Sequence, residues 1–214
     1  LVTFFKKVTA CLLLFVEGNS MRLILASGSA ARQAMLRHAG LKFFSLPADL
    51  DESTVKRGFA GTPEELALAL AGAKAGIVAA HYPESLVVGA DQLLVCEGEY
   101  YDKPVDLAGA AEQLRRLSGR VHTLVTAVCV HQGGAMTWSD VAVARLTMRA
   151  LSAAFIAEYL RVEGQAVCAS VGAYRLEGLG AQLFESVEGD FFTILGLNLL
   201  PLLGFLRAAG ELPA

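Results

Sequence analysis

The chain has little charge imbalance, few cysteines and no long apolar run, and each shortage closes off a class of function. Its 214 residues carry 18 Lys and Arg against 21 Asp and Glu, a net charge of -3. That balance lacks the clustered positive field by which a duplex nucleic-acid binder meets phosphate backbones. Local cations such as Arg115, Arg116 and Arg120 fit a solvated helix face or an anionic small molecule. The cysteines at 11, 96, 129 and 168 form no C-x-x-C pair, so neither a zinc knuckle nor a disulfide framework is indicated, and a reducing cytoplasm is the expected location. The four histidines are scattered and suggest no metal cluster. No G-x-S-x-G elbow and no Walker A loop occur. Repeats, low-complexity tracts and Pro/Ser linkers are also missing, so nothing divides the chain into covalent domains.

The opening stretch LVTFFKKVTACLLLFVEGNS places Lys6 and Lys7 before an apolar run. That run falls short of the roughly 20 apolar residues needed to span a bilayer, so no membrane partner is expected. Two readings of residues 1–20 stand: a dispensable extension with Met21 as the functional start, which is favoured, or an export signal. The expected organisation is an extension over 1–20, one domain over 21–209 and a tail over 210–214.

What the chain does have is 54% hydrophobic content, enough for a sizeable core, arranged in alternating strand-like and helix-like segments. RLILA reads as a short buried strand, and the segment from Ser29 to Gly40 reads as a helix closing on glycine. FFSLPADLDES begins extended, turns at Pro47 and ends in the acids Asp49, Asp51 and Glu52, as a solvated loop would. In TPEELALALAGAKAGIVAAHYP, Thr62 caps, Pro63 takes the first helical position and Glu65 completes a capping box, predicting a long helix. SLVVGADQLLV predicts a buried strand through Val88, interrupted at Gly89 and Asp91 and resuming from Leu93 to Val95.

Asp106 caps LAGAAEQLRRL, and two Val- and Thr-rich strands follow, joined by the hairpin signal QGG. Ser152 opens a further helix that closes at Gly164. Beyond it, glycines at 172, 178, 180, 189 and 196 are expected to break up short apolar strands, and Asn198 to cap a last helix ending at Gly210. Early βα units followed by a hairpin indicate an α/β protein with a mixed sheet.

ASGSAAR sits at a strand-to-helix junction, where backbone N–H groups lack intrahelical partners and the helix dipole is positive. Ser27 and Ser29 add hydroxyl groups and Arg32 adds a phosphate-matching fork, although a serine-capped helix that binds nothing has the same appearance. Asp91 leaves an apolar strand beside a glycine and can hold a hard cation or orient a water. Lys74 and Lys103 are isolated cations among apolar neighbours; each either snorkels or serves a ligand. Together these groups match phosphoryl chemistry, which asks for a metal or base on one side and cations on the other.

Several motifs in order then resemble the Maf family of nucleoside triphosphate pyrophosphatases. LILASGSAAR is similar to its opening A-S-x-S-P-x-R motif, DLDE to its acidic segment and AKA at 73–75 to its helix signature. VVGADQ with DKP, LSGRVHTLVTAV and the segment from Val171 to Leu203 resemble its central and C-terminal blocks, covering residues 21–209. The resemblance implies an α/β fold with an elongated mixed sheet, flanking helices and two lobes around a central cleft, similar to inosine triphosphate pyrophosphatase. It implies cleavage of a nucleoside triphosphate to the monophosphate and pyrophosphate with a divalent cation, Mg2+, and a possible homodimer.

Carried over by position, the resemblance makes Asp91 the catalytic acid and metal ligand and Glu52 a second acid at the metal. Arg32, Lys74 and Lys103 become triphosphate cations, and Ser27 and Ser29 loop hydroxyls. Ala30 and Ala31 stand where the motif has proline and then Arg or Trp. Gln92 and Glu177 stand where the dTTP/UTP branch has threonine and glutamine, and look more like the 7-methyl-GTP branch. A carboxylate only accepts hydrogen bonds, which suits the adjacent N1–H and N2–H donors of guanine, while an amide's donor and acceptor suit uracil. The expected substrate is guanine-type. The alternatives are the same chemistry on dTTP or UTP, and a regulatory nucleotide-binding protein without turnover.

Overall fold

The structure, a computed structural model, describes residues 22–213. The expected extension over 1–20 lies outside them. A seven-stranded mixed sheet organises the molecule, in the order β2-β1-β3-β5-β6-β7, with β4 also paired to β3. The strands are β1 (Leu23–Leu25), β2 (Phe44–Ser45), β3 (Leu86–Cys96), β4 (Glu99–Tyr101), β5 (Val121–Gln132), β6 (Ala135–Met148) and β7 (Phe184–Glu188). β1 runs parallel to β2 and β3, as βα crossovers require, and the remaining pairs are antiparallel. Gly133 and Gly134, both at positive φ, turn β5 into β6.

The helices are α1 (Ala30–His38), α2 (Glu52–Lys56), α3 (Pro63–Ala79), α4 (Leu107–Leu117), α5 (Ala153–Glu163), α6 (Phe191–Ile194) and α7 (Leu199–Ala208). The Thr62–Glu65 capping box opens α3 as its sequence predicts. Three apolar clusters form the core. Leu66, Leu70 and Ala71 of α3 cover one face of β1, β3 and β5, while Met35, Leu36, Leu202 and Leu206 of α1 and α7 cover the other. Leu114, Tyr159 and Leu160 of α4 and α5 pack on the far ends of β3, β5 and β6, giving a second lobe.

β3 is continuous, contrary to the expected interruption at Gly89 and Asp91. It pairs with β5 without a break from Val87 to Val95, so the ladder is kept where the sequence looks broken. Gly89 is required by packing: a Cβ there would lie 2.2 Å from the Ala71 carbonyl oxygen and 2.8 Å from the Ala75 Cβ. Of the short strands expected over 171–197, Phe184–Glu188 forms as β7, while Val171–Ala173 and Leu179–Leu183 are 3₁₀ turns that follow another at Gly164–Ala169. Positive φ at Gly172 and Ala173 prevents an extended run there. The acidic segment is not wholly loop, since Asp51 caps α2 and Glu52 is its first residue.

One consequence of the register positions the site. On its other edge β3 pairs with β1 through Leu86–Val88 and with β4 through Leu94–Cys96. Residues 89–93 lie between these partners, at the junction of the two lobes, and here the sheet edge opens into a cleft.

Candidate active site

The cleft has a volume of about 1140 Å³ and is lined by Ser27, Ser29, Arg32, Glu52, Lys74 and Asp91, together with Gln92, Lys103 and Glu177. All nine side chains singled out from sequence therefore border one cavity. They reach it from both lobes and from both faces of β3.

The serine turn is built by local bonds. Ser29 is the N-cap of α1, its hydroxyl accepting from the Arg32 N–H at 3.4 Å, while the Ser27 hydroxyl accepts from the Ser29 N–H at 3.2 Å. Ser45 donates to the Ser27 carbonyl at 2.9 Å and ties the turn to β2. Arg32 donates through Nε to the Gly196 carbonyl at 2.7 Å and through Nη1 to Ser27 Oγ at 3.3 Å. Desolvation lowers the Arg32 pKa, opposed by the charges of Asp91 and Glu52. Its oxygen partners are neutral, which leaves its charge for an anion in the cleft.

Successive strand residues point to opposite faces, and β3 uses this to separate two functions. Asp91 faces α3, where its Oδ1 accepts from Lys74 Nζ at 2.5 Å. Lys74 Nζ also lies 2.7 Å from Glu52 Oε1, so one ammonium joins a carboxylate from β3 to one from α2. Burial works to raise the Glu52 pKa, but hydrogen bonding and charge from Lys74, with a further contribution from Lys56, hold it below the ordinary carboxylate range. Asp91 is 5% exposed and Glu52 half-buried, so the pair is partly shielded from water.

Gln92 faces the other way. Its Nε2 donates to Thr126 Oγ1 at 2.9 Å, the Thr193 carbonyl at 2.9 Å and the Ile194 carbonyl at 3.1 Å. The amide hydrogens are thus consumed by the protein, while Oε1 lies on the side of Gly196 and the Arg32 guanidinium. Glu177 is exposed at the cleft and accepts from Arg175 Nε at 3.2 Å; Arg175 in turn binds Glu163 at 3.2 Å. The wall carrying Glu177 is pinned by Tyr174, whose hydroxyl meets His122 Nε2 at 2.8 Å in the core.

Lys103 stands at the lip of the cleft. Desolvation, with the charges of Arg32 and Lys74, lowers its pKa, against the opposing pull of Glu52 and Asp91. Lys56, not singled out from sequence, joins the acid cluster at 3.5 Å from Glu52 Oε2 and 2.7 Å from Asp102 Oδ1. Its signal was the four-residue spacing from Glu52 on one helix face. Thr126 and Arg175 also escaped the sequence reading, which took Asn198 only as a helix cap. For Thr126 and Asn198 the signal is a polar residue between apolar neighbours, TLVTAV and GLNLL.

Glu52 and Asp91 are the carboxylates able to meet a cation. Among the described residues no group of three or more His, Cys, Asp or Glu is arranged to hold a metal ion. Two carboxylates brought together by one ammonium suit a hard divalent ion that completes its shell with water and phosphate oxygens, as Mg2+ does.

A nucleoside triphosphate pyrophosphatase of Granulibacter bethesdensis is 50% identical over 190 residues, spanning 87% of this chain and 96% of that protein. One from Nitrobacter hamburgensis is 51% identical over 191 residues, 89% and 95% of the two chains. A 7-methyl-GTP pyrophosphatase of Rhizobium etli is 48% identical over 194 residues, 89% and 98%. A dITP/XTP pyrophosphatase crystal structure from Mycobacterium abscessus is far more distant, with 18% identity and a TM-score of 0.32 over 60% of this chain and 73% of that chain. The model of the Maf-like protein family matches residues 22–209, and with relatives this similar along nearly their whole length, the chain belongs to the Maf family.

Proposed function

We propose that the chain hydrolyses a guanine-type nucleoside triphosphate between its α and β phosphates, releasing the monophosphate and pyrophosphate. The observation that carries this reading is Lys74 held between Asp91 and Glu52 in the same cleft as the serine turn and Arg32. A regulatory binding protein needs cations for phosphate; it does not need two acids joined beside them. The names of the relatives, one of them a 7-methyl-GTP pyrophosphatase, support the same chemistry.

In this mechanism the triphosphate crosses the open edge of β3, with the base on the Gln92 face and the phosphates toward Asp91. The α1 N-terminus, Ser27, Ser29 and Arg32 bind phosphate oxygens. Asp91 takes the proton of the attacking water as its oxygen bonds to the α phosphorus and the bond to the bridging oxygen breaks. Lys74 keeps Asp91 in place, and Lys103 with Arg32 offsets the charge that develops on the departing pyrophosphate. Glu52 and Asp91 would hold Mg2+, which when bound supplies neutralisation of the phosphate oxygens.

Base choice follows from hydrogen-bond polarity. Gln92 has given its donors away, so it offers the carbonyl Oε1; Glu177 offers a carboxylate. Two acceptors match adjacent N1–H and N2–H groups on guanine, whereas uracil places carbonyl acceptors on both sides of its single N–H. Methylation at N7 adds positive charge that Glu177 favours.

The test is pyrophosphate release from GTP, 7-methyl-GTP, UTP and dTTP with Mg2+, beside Asp91→Asn. The expected result is preference for the guanine nucleotides and a loss of about 10³-fold in kcat for the variant. Nucleotide binding with no release above the variant's level would establish the regulatory reading instead. Two further proposals accompany this one. Cys96, Cys129 and Cys168 are free thiols, which fits a reducing cytoplasm. Assembly as a homodimer is read directly by light scattering.

A further inference from the structure

Asn198 occupies the N-cap position of α7 yet its side chain makes no cap hydrogen bond, contrary to the expectation from sequence. It is 1% exposed and turned into the core. Its Nδ2 donates to the Thr126 carbonyl at 3.0 Å and to Asp140 Oδ2 at 2.8 Å, with the Asp140 carbonyl at 3.4 Å. Its Oδ1 accepts from Thr193 Oγ1 at 3.2 Å. At the other end of the same segment, Asp190 caps α6 by accepting from the Thr193 N–H at 3.0 Å.

The segment fastened in this way directs three carbonyls at side chains that line the cleft. Those of Thr193 and Ile194 take the amide hydrogens of Gln92, and that of Gly196 takes Arg32 Nε. Thr126 joins the set by donating its hydroxyl to the Thr193 carbonyl at 2.9 Å while its own carbonyl is held by Asn198. The orientation of the base-facing amide and of the phosphate-facing guanidinium therefore rests on one stretch of backbone. Asn198 locks that stretch to β5 and β6 without lining the cleft.

We propose that Asn198 is a positioning residue for base discrimination: by fixing the 193–196 carbonyls it keeps the Gln92 amide turned with its acceptor toward the nucleotide. This rests on the proposed function. Without the Asn198 amide, Thr126 O and Asp140 Oδ2 lose a buried donor, and the segment shifts to find replacements. Gln92 can then rotate by half a turn, exchanging donor for acceptor at the base edge and admitting uracil. Asp91, Lys74 and Glu52 lie on the opposite face of β3, and Arg32 keeps its second bond, to Ser27 Oγ, so turnover of bound triphosphate continues.

The experiment measures kcat/KM for GTP and for UTP on the same preparation of the full chain, for wild type, Asn198→Ala and Asp140→Ala. Because both values come from one sample, their ratio is independent of the fraction folded. The GTP/UTP ratio is expected to fall about tenfold in Asn198→Ala, chiefly through KM, with kcat for GTP changed less than about threefold. Asp140→Ala, which removes one acceptor of Asn198 from a half-buried site, gives a smaller fall in the same direction and serves if the first variant is insoluble. A ratio unchanged in folded variants, or a lowered melting temperature with equal loss on both nucleotides, overturns the inference alone. Wild-type protein that releases no pyrophosphate, or treats GTP and UTP alike, overturns the proposed function and this inference with it.

Discussion

Replacing Gly89 by alanine is the sharpest structural perturbation of the cleft, because it adds one carbon where α3 sits directly on β3. The new Cβ would lie 2.2 Å from the Ala71 carbonyl oxygen and 2.8 Å from the Ala75 Cβ. The first contact is about 1 Å short of an ordinary C···O approach. Both opposing atoms belong to helix backbone or to a Cβ, which cannot rotate aside, so α3 itself must move outward by about that amount. Overpacking of this kind costs about 1–3 kcal/mol, which shifts a urea midpoint by about 1 M for a slope of about 2 kcal/mol/M.

The same movement carries Lys74 away from Asp91, from which it now stands 2.5 Å. A displacement of about 1 Å in a reacting constellation costs about 10²-fold in rate, or about 2.7 kcal/mol. Urea unfolding and steady-state pyrophosphate release measure the two effects separately. Gly76→Ala, on the same helix with only His131 atoms 3.7 Å and more from the added Cβ, is the control. It is expected to stabilise the helix by up to about 1 kcal/mol and leave activity unchanged. A Gly89→Ala protein with wild-type midpoint and wild-type kcat/KM would refute the seating of α3 on β3 described above.

Other expectations follow from the same geometry. Burial drives the His122 pKa from 6.5 down to about 4, so the unfolded state binds more protons between these values and stability falls as pH drops through that window. The loss is about 3 kcal/mol by pH 4, and His122→Phe combined with Tyr174→Phe should flatten this slope in thermal melts. Lys103, with its pKa lowered by desolvation and by Arg32 and Lys74, loses its charge earlier than an ordinary lysine as pH rises. KM for the triphosphate should therefore climb on the alkaline side, and Lys103→Arg should move that rise to higher pH; an unmoved limb would remove Lys103 from phosphate binding. Chelation should abolish turnover and Mg2+ restore it, with Glu52→Gln raising the Mg2+ needed for half-maximal activity by about tenfold; an unchanged requirement would take Glu52 away from the metal.

Local rules made much of the fold legible. The Thr62–Glu65 box, the Asp106 and Ser152 caps and the QGG hairpin are fixed by neighbouring residues, and the structure has each of them. Gly89 misled the reading because its cause lies in α3, outside its own strand, where the close approach of Ala71 excludes a side chain. Asn198 was read as a cap for the same reason: its partners Thr126, Asp140 and Thr193 come together only after β5, β6 and α6 pack. The residues from Val171 onward contain the glycines and apolar residues of broken strands, yet positive φ at Gly172 and Ala173 turns the chain at Tyr174 and an extended run forms only at Phe184–Glu188. In the cleft, residue types were readable one at a time. Their partition between the two faces of β3 was not, because it depends on that strand continuing through Gly89 and Asp91.

The most direct test of the central claim is hydrolysis of GTP in ¹⁸O-labelled water, followed by mass spectrometry of both products. Attack at the α phosphorus, with Asp91 taking the proton from water and pyrophosphate departing toward Lys103 and Arg32, predicts the label in the monophosphate and none in pyrophosphate. Label in pyrophosphate, or release of inorganic phosphate as the primary product, would contradict the account.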